Sequence, residues 1–243
     1  MSLCLFTNAF SGTIDPNVND SKYIEYGKKH ECVVELGGFL VDENKPYRAS
    51  AIIIKPRIVL TAAHVVKEAK DCFITHNGDK YNILFAAILT EYKEENIGPY
   101  DLAICYLEKK VKLNFYPELY DNNDEVGKIC SISGFGITGT FDRGMSKFDG
   151  KKRAGSNIID KIINGMLVCS VNTSPKTSLE FLICSGDSGG GLFIDKKLAG
   201  INSCIMTDDG KLDANYNEES LHTRISLHKK WIDSIVEKLE KID

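Results

Sequence analysis

The chain of 243 residues reads as an all-β protein, a sandwich or barrel, finished by one helix at its C-terminus. Three observations predict this class. Short apolar runs follow one another at close intervals, separated by clusters of Gly, Asn and Asp. No run of helical period sits between successive strands, as βαβ units would need. Helical spacing of apolar residues occurs only at the end of the chain.

In chain order, ASAIII (49–54) and RIVLTA (57–62) are strands split by Lys55-Pro56, because proline removes a ladder donor and fixes φ. KYNILFAAILTEY (80–92), DLAICYL (101–107), KICSISGFG (128–136) and GMLVCSV (165–171) follow as further strands. GLFID-KK-LAGINSCIM (191–206) reads as a hairpin with a two-residue turn. Between the halves, KLNFYPELYDNNDEVG (112–127) has the composition of a linker. From Ser226, a favourable N-cap, Trp231, Ile232, Ile235, Leu239 and Ile242 recur at helical spacing. No internal repeat or low-complexity segment is present.

Composition narrows the function. With 30 basic against 34 acidic side chains the net charge is −4, which offers no electrostatic footprint for nucleic acid or an anionic membrane. No apolar run approaches the roughly 18 residues that span a bilayer. MSLCLFTNAF at the start lacks a basic segment and is not read as a signal peptide. The eight cysteines (4, 32, 72, 105, 130, 169, 184 and 204) show no Cys-x-x-Cys spacing of a zinc site, and no metal or cofactor is expected. Several lie inside apolar runs, so the redox compartment stays open. His222 and His228 are assigned packing or solvated roles. KKR (151–153) is assigned to a solvated loop that could be a self-cleavage site, and the acidic residues around 122–125 to the linker.

Three residues carry chemistry only in combination. His64 ends an apolar strand in IVLTAAHVV, where a short helical turn could begin; Asp101 opens the strand DLAICYL; Ser188 sits in CSGDSGGGLF. A serine hydroxyl is a weak nucleophile and needs an adjacent base, itself oriented by a third group. A histidine serves as that base, and a carboxylate fixes its tautomer and stabilises the imidazolium.

TAAH, DLAI and GDSGG, in the order His, Asp, Ser, make the chain resemble the chymotrypsin/trypsin-like serine endopeptidases over about residues 30–243. SGFG (133–136), LAGINS (198–203) and the terminal WI helix match further parts of that family. The resemblance implies two antiparallel β-barrels packed together with the active site between them, plus a C-terminal helix. It divides the chain into an N-terminal arm (1–29), a first barrel (30–115), an inter-barrel linker (116–127), a second barrel (128–226) and the helix (227–243). It implies Ser188 as nucleophile, His64 as base and then acid, and Asp101 as orienting carboxylate. The backbone N–H groups of Gly186 and Ser188 would form the oxyanion hole. Asp187 matches the acid that pairs with a freed N-terminal amine, and Ser203 the serine that bonds the triad aspartate. Ser203, Cys204 and Ile205 would present backbone to an extended peptide or protein substrate. A protein inhibitor is a further class of partner; nucleic acid and membrane are not.

The chain departs from the family in three ways. No Ile-Val-Gly-Gly start is present, so either a cut after Lys22 frees a new terminus, or Asp187 takes another partner and no cleavage is needed; the second is favoured. The family's disulfides are broken up: Val65 and Ala49 replace one pair, and Cys130, Cys169 and Cys184 lack their mates, Ile194 replacing one. Such half-pairs fit a reducing cytosol, whereas the family's habit is secretion, and both locations stay open. Gly191 replaces the proline after GDSGG, which should loosen that turn. By position, Leu182 lies at the base of the primary pocket, with Ile205 and Ser220 on its walls. No acid awaits Lys or Arg there, so the expectation is a small or medium apolar residue on the acyl side of the scissile bond. A glutamyl-specific site is not indicated, since Asn202 stands where a histidine would precede Ser203. The alternative to an enzyme is a non-catalytic homologue that keeps the fold to bind a partner.

Overall fold

The computed structural model describes residues 12–93, 98–207, 209–211 and 213–242. Cys4 and the opening MSLCLFTNAF lie outside the described residues. The described chain opens with strand β1 (Thr13–Ile14) and helix α1 (Asp20–Lys28). The first half continues with β2 (Val33–Leu40), β3 (Pro46–Lys55), β4 (Ile58–Thr61), the one-turn helix α2 (Ala63–Val66), β5 (Ala69–His76), β6 (Asp79–Ile88) and β7 (Ala103–Leu107). These strands close into a barrel in the order β2-β3-β4-β7-β6-β5. Branched side chains such as Leu36, Ile52, Leu60, Ile74 and Ile104, all fully buried, belong to one apolar core that runs on to Phe193 and Ile201 of the second half.

The second half holds β8 (Ile129–Gly134), β9 (Ile137–Thr140), β10 (Gly144–Phe148), β11 (Arg153–Ile158), β12 (Lys161–Ile163), β13 (Met166–Ser170), β14 (Phe181–Leu182), β15 (Gly191–Ile194), β16 (Lys197–Met206) and β17 (Glu219–Arg224). Helix α3 (Ile225–Leu239) follows. Seven of these strands form one sheet in the order β11-β8-β15-β16-β17-β13-β12, and β10-β9-β1-β14 form a second. The fold is mostly β with a C-terminal helix, as expected, but its closed ring of pairing is the first barrel. The second half is two sheets that share a core of Ile132, Leu167, Phe181 and Leu192.

The sequence missed how the N-terminal arm is built in. Strand β1 lies between β14, to which it is antiparallel, and β9, to which it is parallel. Asn19 caps α1 by accepting the Ser21 N–H at 2.9 Å, and Tyr23 on that helix is fully buried. Arg153 anchors α1: its guanidinium, 1% exposed, donates to both carboxylate oxygens of Asp20 at 2.6 and 2.7 Å and to those of Asp149 at 2.9 and 2.8 Å. KKR is therefore not a solvated run, because Lys152 also turns inward and donates to the carbonyls of His30 and Val33.

Other local expectations shift for identifiable reasons. The hairpin turn is Asp195-Lys196, one residue early, with φ of 48° and 67°, the positive pair that matches the twist of a two-residue hairpin. Gly191 is a strand residue and not a loosened turn; a Cβ there would meet the Phe193 ring at 2.6 Å. Helix α3 starts at Ile225, and Ser226 gives its hydroxyl to Glu125 instead of capping. Glu125, assigned to the linker, is 1% exposed and takes Arg224 Nε and Nη2 at 2.8 and 2.7 Å. His222 and His228 are both buried, in packing roles.

Candidate active site

Antiparallel pairing of β4 with β7 sets Thr61 opposite Ala103. Three residues past Thr61 comes His64, and two residues before Ala103 comes Asp101, so the ladder delivers both to one end of the barrel. Asp101 is fully buried. Its Oδ2 accepts the His64 ring at Nδ1 (2.8 Å) and the Ser203 hydroxyl (2.6 Å), while Oδ1 accepts the His64 backbone N–H at 3.0 Å. Burial by itself would raise the Asp101 pKa, but the His64 charge and these hydrogen bonds outweigh it and hold the carboxyl below its ordinary value. Thr223 fixes the same residue from the second half, its hydroxyl donating to the Asp101 carbonyl at 3.0 Å.

Ser188 stands on the loop between β14 and β15. Its hydroxyl lies 3.4 Å from the Ser203 carbonyl oxygen, so Ser203 touches both Asp101 and Ser188. The loop is tied down at three peptides: Asp187 N–H to Cys184 O (3.1 Å), Gly189 N–H to Asn202 O (2.8 Å) and Gly190 N–H to Asp187 O (2.8 Å). Gly186, at φ +90°, and Gly189, at φ +82°, occupy the left-handed region, which side chains disfavour. Among the described residues, the backbone N–H groups of Gly186 and Ser188 donate to no protein acceptor.

Asp187 is fully buried, and its carboxylate accepts the backbone N–H of Cys184 (3.1 Å) and of Gly136 (3.3 Å). Lys22, the position of the alternative cut, lies within α1. Of the predicted pocket residues, Leu182 is fully buried in a cluster with Val171, Cys184 and Phe141, against which Ile205 and Tyr216 pack. Ser220 points inward, its hydroxyl 3.1 Å from Cys169 O and 3.0 Å from His222 Nε2. Cys204, beside Ser203, is half-buried and forms no disulfide among the described residues, and the β16–β17 register slips at this place. Cys130, Cys169 and Cys184 are free buried thiols, with the sulfurs of Cys130 and Cys169 3.8 Å apart.

This architecture and residue cluster define a class, and comparison with known proteins states which. The family model for trypsin matches residues 36–232, and the chain belongs to the trypsin family. Kallikrein-1E2 of Equus caballus is 24% identical over 221 residues, covering 79% of this chain and 81% of that protein. Chymotrypsin of Phaedon cochleariae is 29% identical over 208 residues, covering 74% and 69%. Among solved structures, neuropsin, a serine protease expressed in the limbic system of mouse brain, superposes with a TM-score of 0.64 at 20% identity, over 85% of this chain and 95% of that one. HL collagenase superposes with a TM-score of 0.68 at 15% identity, over 85% and 94%. These structural likenesses show a shared fold.

Proposed function

We propose that the chain is a serine endopeptidase that hydrolyses peptide bonds through an acyl-enzyme. The observation that carries this reading is the Asp101 carboxylate, buried and charged, holding His64 by ring and backbone together. With Nδ1–H given to Asp101, the neutral imidazole presents Nε2 as a base. Rotation about the Ser188 Cα–Cβ bond turns its hydroxyl from the Ser203 carbonyl toward Nε2, a contact that commonly tightens only when substrate binds. Ser188 Oγ attacks the scissile carbonyl as its proton passes to His64. Negative charge on the carbonyl oxygen is met by the N–H groups of Gly186 and Ser188. Collapse expels the amine, which takes the proton from His64; water, deprotonated by His64, then releases the acid and regenerates Ser188.

Several features support details of the reading. The Asp187 carboxylate is already served by backbone N–H groups, which favours activity without a cut after Lys22. The apolar surroundings of Leu182 and Ile205 favour small or medium apolar side chains in the primary pocket. Ser203, Cys204 and Ile205 would pair with an extended substrate as an added strand, and Ser220 closes the wall behind Ile205.

The experiment is labelling of the intact chain with a fluorophosphonate, alongside the Ser188→Ala variant. Label that depends on Ser188 is expected. Its absence would favour the other reading, a homologue that binds a partner without cleaving it.

A further inference from the structure

We propose that Ser50 is a positioning residue for the oxyanion loop, acting across the interface from the first barrel. This rests on the reading of Gly186 and Ser188 as oxyanion donors. Ser50 lies in the apolar run of β3 and is fully buried. Its hydroxyl accepts the Phe135 backbone N–H at 2.9 Å and donates to the Gly186 carbonyl at 2.8 Å. With the lone pair given to Phe135, the hydroxyl proton is directed at Gly186. The backbone of the same residue holds the nucleophile: Ser50 N–H donates to the Ser188 carbonyl at 2.9 Å. Thr61, from β4, holds Ser50 in turn, its hydroxyl donating to the Ser50 carbonyl at 2.8 Å.

The carbonyls of Gly186 and Ser188, the two residues whose N–H groups would meet the oxyanion, are thus both fixed by Ser50. Rotation is cheap at a glycine, so a segment through Gly186 needs an external anchor to keep its peptide planes aimed. Close packing reinforces the anchor. A Cβ on Gly189 would meet the Ser50 carbonyl at 2.1 Å, and one on Gly186 would meet the Gly136 Cα at 2.8 Å. Removing the hydroxyl leaves the Gly186 carbonyl and the Phe135 N–H unpaired in a buried site, and frees the first to turn.

The test compares Ser50→Ala and the near-isosteric Ser50→Cys with wild type on a peptide ester or amide, with rates normalised to folded protein. Expected is a fall in kcat of about 10- to 100-fold with KM within about twofold, the size of loss seen when a catalytic group is displaced without losing substrate contacts. The pH midpoint of kcat/KM should stay in place, since His64 and Asp101 are untouched. Ser133→Ala is the control: it removes another buried serine hydroxyl, bonded to the Arg153 carbonyl at 2.9 Å, and should lower the Tm while kcat stays within about twofold. Unchanged kcat in either Ser50 variant, or an equal loss in Ser133→Ala, overturns the assignment. Wild-type protein without turnover or Ser188-dependent labelling overturns the reading of the site and Ser50 with it. Wild-type turnover with an active Ser50→Ala removes Ser50 alone.

Discussion

A carboxylate keeps its charge in an apolar interior only when donors surround it, and Asp101 shows how few are required. The charge of His64, with two hydrogen bonds from that residue and one from Ser203, outweighs full burial. The same donors lock the ring of His64, so charge and orientation come from one set of contacts. The shape of the proposed primary pocket would likewise be set by single residues. Ile205 packs on the cluster that buries Leu182, and shortening it should deepen the pocket. In a peptide-library profile, wild type should prefer small or medium apolar residues, and Ile205→Gly should gain about 10-fold or more for Leu or Phe, the range that added methylenes command. A strong Lys or Arg preference in wild type would contradict this pocket.

At the scale of elements, the arm is a working part of the second half. β1 supplies the strand between β9 and β14, and β14 leads into the loop that carries Ser188. The Arg153 guanidinium joins α1 to β11 through Asp20 and Asp149. Arg153→Ala leaves two carboxylates facing each other across a cavity. Allowing for the partial exposure of Asp20, a loss of about 2–4 kcal/mol is expected in denaturant unfolding, with new protease cutting between residues 12 and 28. Helix α3 is fastened by the same chemistry, with Arg224 and Ser226 both on Glu125.

For the whole molecule, buried histidines make stability depend on pH. Burial drives the His222 pKa down to about 3 and that of His30 to about 4. The unfolded chain therefore takes up protons below about pH 6.5 that the folded chain refuses, so stability is full above that value and falls as pH drops toward the folded pKa. Asp101 acts in the same direction, its depressed carboxyl losing its contribution in acid. Glu218 opposes them: burial raises its pKa to about 8, so its share of stability is lost as pH rises from about 4.5 to 8. The His222 share is isolated by difference. Between pH 6.5 and 4.5, wild type should lose about 1.4 kcal/mol per pH unit more than His222→Gln in denaturant titrations. Parallel curves would show that His222 takes up its proton without unfolding.

The amino-acid sequence by itself determined the β class, the main strands of both halves, the terminal helix, and the His64, Asp101 and Ser188 motifs. These are local signals: alternation, turn residues, and short strings whose chemistry needs fixed neighbours. Ser50, Arg153 and Glu125 were not legible as what they are. A serine inside ASAIII, an arginine in KKR and a glutamate in NNDE carry no local mark of the partners they meet 136, 133 and 99 residues away. Only the tertiary structure decided that the arm completes a sheet, and that the first barrel grips the loop carrying Ser188. The physical reason is that a buried polar group must be paired, and its partner is set by how whole elements pack.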